Sequence, residues 1–198
     1  MSYFSRRTKI SFAVIAVIVF GFFGARLWNL GGSIPKEFID ARIQGATISQ
    51  SIVNLSNQSV ADLESINALD NTNNFSRATE LTEKVIQQSK DIRSQAVDLS
   101  NQVSKMTQAL SGIKSFEARQ AALEAISSRL AMISRLINYS DYLSQLLSAL
   151  QLRFSGKPGD HRVAAIIIQI NGEVTAINSF NNQATQAMNR FDRIVNSQ

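Results

Sequence analysis

Residues 85–113 read VIQQSKDIRSQAVDLSNQVSKMTQALSGI, and their spacing decides the fold. Val85, Ile92, Leu99, Met106 and Ile113 recur every seven residues, and Ser89, Ala96, Val103 and Leu110 fill the alternate positions. Steps of four and three keep all of these side chains on one narrow stripe of an α-helix. A two-in-seven seam held that long is the pattern of coiled-coil packing, which supercoils left-handedly around partner helices.

Working outward, the flanking sequence supplies those partners. Upstream, a helix is expected over 35–69, with Phe38, Ala41, Ile48, Ile52, Leu55, Leu63, Ile66 and Leu69 as its apolar groups and Pro35 suited to its first turn. Asp70-Asn71-Thr72-Asn73-Asn74 breaks it with residues that cap and turn. The central helix spans 75–111. Ser111-Gly112-Ile113-Lys114-Ser115 then reads as a stop and a restart, with Gly112 left-handed after the helix and Ser115 capping the next one ahead of Glu117.

A third helix, 116–154, is the most apolar of the set. It starts on Leu123, Ile126, Leu130, Ile133 and Ile137 and ends on Ile133, Leu136, Ser140, Leu143, Leu147, Leu150 and Phe154. The change of register between the two runs is a stammer, which should overwind the helix locally. Ser155-Gly156-Lys157-Pro158-Gly159 closes it, and Asp160 is placed to cap a fourth helix, 160–195, on Val163, Ile166, Ile170, Val174, Ile177, Ala184, Ala187 and Phe191. Helices of about 35 residues run roughly 50 Å, and short loops force sequence neighbours to lie antiparallel. The expected fold is therefore all-α, a long antiparallel four-helix bundle with coiled-coil-like packing. A looser hairpin that completes its core by dimerising is the alternative.

Ahead of the bundle lies RRTKISFAVIAVIVFGFFGARLWNLGG, residues 6–32. From Ile10 to Ala25 it carries no charge, and as a helix it spans about 24 Å against a hydrocarbon core of about 30 Å. Lys9 and Arg26 can snorkel at its ends, and Trp28 falls where an interfacial aromatic belongs. The run is long for a signal peptide and has no A-x-A site directly after it, so it is read as a retained transmembrane anchor. No other segment is expected to be apolar all round. Basic residues cluster before the run, which places the N-terminus in the cytoplasm and the bundle outside. Residues 1–32 then form the cytoplasmic end, the anchor and a Gly-Gly hinge, and 33–198 the extracytoplasmic bundle.

The net charge of +5 belongs to the anchor. Arg6, Arg7, Lys9 and Arg26 are four of the 20 basic residues, and none of the 15 acidic ones precedes Glu37. The bundle is nearly neutral and has no basic stripe, which argues against nucleic acid as a partner. With no Cys there is no disulfide, thiolate metal site or cysteine nucleophile. His161 is the one histidine and is expected to be solvated at a loop end. No pattern of paired ligands suggests a metal, and no phosphate-cradling or serine-hydrolase motif is present. Glu80 and Lys84 are expected to pair along one helix face.

One segment suggests a site. Asn138, Tyr139, Ser140, Asp141 and Tyr142 place an amide, two phenols and a carboxylate at mid-height of the third helix. They would line a small-ligand pocket if the bundle opened there. Otherwise they form a register-fixing polar layer, with Asp141 facing water and the tyrosine hydroxyls wet.

These features describe a non-enzymatic, cofactor-free, single-pass membrane protein of the cell envelope. Its partners would be the lipid bilayer, through the N-terminal helix, and other proteins or a second copy, through helix faces. An alternative is an extracytoplasmic sensor bundle signalling through a partner subunit. That architecture resembles the outer half of chemoreceptor-type sensors, with which the chain shares no motif.

Overall fold

The computed structural model describes residues 34–157 and 162–197. Among them are no strands and four long helices: α1 (Lys36–Asn71), α2 (Phe75–Ala109), α3 (Phe116–Phe154) and α4 (Val163–Asn196), with a single 3-10 turn, Leu110–Gly112, after α2.

Side-chain contacts fix the arrangement. Lys84 on α2 reaches back to Asp62 on α1, Ser140 on α3 bonds Ser89 on α2, and Glu173 on α4 faces Arg135 on α3. Each pair runs antiparallel. The first and last helices meet at one end, where the Phe38 and Phe191 rings lie 5.3 Å apart and Arg42 grips Asp192 through two bonds of 2.6 and 2.7 Å. At the opposite end Arg153 of α3 holds the buried carboxylate of Asp70 at the close of α1.

The α2 seam packs as its spacing predicts: Val85, Ser89, Ile92, Ala96, Leu99, Val103 and Met106 are all buried. On α4 the stripe from Ile166 to Phe191 is buried likewise. Ser115 caps α3 by accepting from the Ala118 N–H. Gly112 differs from expectation. Among the described glycines only Gly156 has a positive φ. A Cβ at Gly112 would lie 2.5 Å from the Pro35 ring, so close approach, not a left-handed backbone, is what a side chain would disturb. Lys84 likewise pairs across to Asp62 at 2.9 Å instead of along its own helix.

The expected anchor, with Lys9, Ile10, Ala25, Arg26 and Trp28, lies outside the described residues, as do Asp160 and His161. Among the described residues α4 is long and apolar enough to cross a membrane by length and composition, a test that core helices also pass. Apolarity all round is thus not unique to the N-terminal run. Ile166, Ile167 and Ile170 face the core while Ala164, Ala165, Ile168 and Gly172 leave the exposed side of the first turns of α4 uncharged, with Arg190 and Arg193 exposed further along.

Candidate functional site

The third helix departs most from its expected register. Ala122, Ile126, Arg129, Ile133, Leu136, Ser140, Leu143, Leu147, Leu150 and Phe154 are all buried. Their steps alternate four and three without interruption, so the seam needs no stammer. Leu123 and Leu130, expected in the core, are instead 50% and 47% exposed. The sequence misleads because Arg129 and Ala122 hold core positions while two leucines stand outside, and leucine outranks arginine in any hydrophobic pattern.

Those leucines belong to a second seam. Phe116, Leu123 and Leu130 recur every seven residues on the outer face of α3, with Phe116 67% exposed, and the next position of the series, Ile137, is half-buried and packs against the core. Gln120, Ser127 and Ser134, all exposed, fill the alternate positions. The apolar series stops at Ile137, since the next two positions of the same face are Asp141 and Ser144. Single exposed apolar residues are ordinary on protein surfaces, whereas these three share one stripe at coiled-coil spacing.

The Asn138–Tyr142 segment takes up different roles. Ser140 Oγ donates to Ser89 O at 2.8 Å and Ser89 Oγ donates to Ser140 O at 3.0 Å. Ser144 Oγ, 3.1 Å from Ser89 Oγ, is left free to donate to it. This reciprocal pair ties α2 to α3 at one height. Asp141 faces outward and pairs with Arg93 of α2, and Asn138 Nδ2 donates to Glu173 of α4 at 3.4 Å. Tyr142 is half-buried. Tyr139 departs from the wet hydroxyl expected of it. It is 2% exposed, its hydroxyl has no hydrogen-bond partner, and burial pushes its phenol up to about 12. The five residues thus point to α2, to α4, to water and into the core.

Two surface clefts lie elsewhere. One of about 520 Å³ sits between the start of α1 and the end of α2, beside Pro35, Asp40, Gln44 and Lys105. The other, about 530 Å³, lies between the far ends of the same helices, beside Asp62, Arg77 and Lys84. Neither includes any residue of the Asn138–Tyr142 segment. Among the described residues no three His, Asp or Glu side chains gather as a metal site.

Two further polar groups sit inside the bundle. Ser59 Oγ lies 2.9 Å from Gln88 Oε1, and Gln88 Nε2 donates to Asp62 at 2.8 Å, a relay from the α1–α2 core to the surface. Arg129 is 2% exposed, and burial together with the nearby charge of Arg42 lowers it to about 9. It therefore keeps its proton at neutral pH. A charge kept in a core restricts which packings are tolerated, which suits a bundle with one register.

The chain matches no protein-family model, no curated protein and no solved structure. What it does is inferred from its own geometry.

Proposed function

We propose that this is a non-enzymatic helical bundle, held to a membrane by the N-terminal apolar run, that works at the cell envelope as a scaffold or protein-interaction module through one helix face. The observation that carries the proposal is the outer row of α3, with Phe116, Leu123 and Leu130 spaced by seven and substantially exposed. Aliphatic side chains left in water forgo about 25 cal/mol for each Å² that a partner would cover. A row at coiled-coil spacing fits a helix better than it fits a small molecule. The apolar run from Ile10 to Ala25 between Lys9 and Arg26 supports the membrane attachment.

A photo-crosslinking amino acid at position 123 or 130, in the full chain in cells, tests the docking role. Protein adducts are expected at both positions and not at Ser65, an exposed residue on α1. Equal labelling at all three positions, or none at 123 and 130, would contradict it.

A further inference from the structure

The outer row of α3 also specifies what would cover it. In heptad terms Phe116, Leu123, Leu130 and Ile137 occupy d, while Gln120, Ser127 and Ser134 occupy a. We propose that this seam pairs with the same seam of a second copy of the chain, parallel and in register. The inference rests on the interaction role proposed above and names its partner.

Charge placement favours that geometry. In a parallel two-stranded coil a residue at g faces the e residue five positions further along the partner. Arg119 stands at g and Glu124 at e five residues on. Glu124 already pairs with Arg190 of its own α4 and keeps about half of its side chain exposed, so parallel pairing would bring the partner's Arg119 to a carboxylate it shares with Arg190, and the two-fold axis repeats the contact. An antiparallel pairing centred on the row would set Leu123 opposite the partner's Leu130 and bring Arg119 near the uncharged Ser134, forming no such pair. Leucine at d suits a two-stranded coil, and serine at a lets the two backbones approach closely without burying a large polar group.

The row's position agrees. α1 and α3 run parallel, so Phe116 and Lys36 lie at the same end of the bundle, and the row occupies the half of α3 nearest the N-terminal entry. Two rods rising side by side from one surface would present these halves to each other pointing the same way. A lipid surface is a poorer occupant, because the row is one side chain wide and is edged by charges of both signs, Glu117 and Glu124 on one side and Arg119 on the other. Helices already folded in their own bundles lose little backbone freedom on pairing.

The absence of native cysteine makes the test direct. Leu123→Cys, Leu130→Cys and the control Ser65→Cys are made singly in the full chain, purified in mild detergent and gently oxidised. In-register pairing predicts disulfide-linked dimers with each of the first two and none with the control. A disulfide that forms only when the Leu123→Cys and Leu130→Cys chains are mixed would overturn the parallel arrangement. No disulfide, together with photo-adducts of a mass other than the chain's own at position 123, would overturn self-pairing and leave the interaction role standing. No disulfide, with an environment-sensitive dye on Leu123→Cys reporting lipid, would overturn it in favour of the membrane. Adding Arg119→Glu to Leu123→Cys should cut the dimer yield several-fold, and Glu124→Arg on top should restore it. Failure to restore would also count against the register.

Discussion

Tyr139 shows how a single side chain records the packing of this bundle. Its ring fills the core of α3, but its hydroxyl finds no partner there. A buried hydroxyl without a hydrogen bond costs about 1–3 kcal/mol, so Tyr139→Phe should leave stability unchanged or raise it by about 1 kcal/mol at neutral pH. The pH dependence has a definite sign. An unfolded tyrosine ionises near 10, whereas burial holds this one up to about 12. Its contribution is fully present below pH 10 and is lost as the pH climbs through about 12. The advantage of Tyr139→Phe over the parent should therefore widen by roughly 1 kcal/mol between pH 8 and pH 11. Urea melts of both proteins at the two pH values check this. Parallel pH profiles would show that the phenol reaches water. Nothing in the sequence marks Tyr139 as the dry member of its segment, since a tyrosine on a helix flank normally turns its hydroxyl outward.

At the scale of the element, α2 and α3 show why one helix was legible in sequence and its neighbour was not. On α2 the inward positions are aliphatic or small and the outward ones are polar, so spacing and burial coincide. On α3 two rows of heptads share one helix. The core row passes through Ala122, Arg129 and Ser140, and the outer row carries Phe116, Leu123 and Leu130. Periodicity cannot tell an inward row from an outward one when the outward one is the more apolar. The usable signal was continuity: admitting Arg129 to the core makes the register unbroken and removes any need for a stammer.

Ser140 was legible as a seam position, but its partner was not, because pairing between helices depends on their relative height. That height is set in part by the reciprocal bonds between Ser89 and Ser140. Ser89→Ala and Ser140→Ala should each cost about 1 kcal/mol, and the double variant should cost less than their sum, because the two hydroxyls also touch each other at 3.1 Å and each single variant already removes that contact. Denaturant melts of the three variants measure the coupling. Strict additivity would mean that the serines act independently.

Among the described residues, four helices pack in chain order, α1 on α2, α2 on α3 and α3 on α4. Phe38 with Phe191 and Arg42 with Asp192 join the first helix to the last, and Asp70 with Arg153 ties the opposite end. Between these two ends α1 packs on α2 and α4 on α3, so the looser hairpin that completes its core with a second copy stays open beside the closed bundle. The outer row of α3 stands on the surface, where the proposed association would take place. For the described residues, the four helices, their lengths to within a few residues and their antiparallel order followed from periodicity and turn residues. The outward placement of Leu123 and Leu130 did not, because spacing alone assigns leucines to the core.

The claim that α3 seals the core with one row and offers the other to a partner is tested most directly by Leu123→Glu with Leu130→Glu in the full chain. Melting temperature and sedimentation are followed together. The account predicts melting within about 1 kcal/mol of the parent, since surface substitutions seldom cost more, and a shift from associated species to monomer. A fall in stability of several kcal/mol, as charges forced into a core would cause, or a sedimentation profile identical to the parent's, would contradict it.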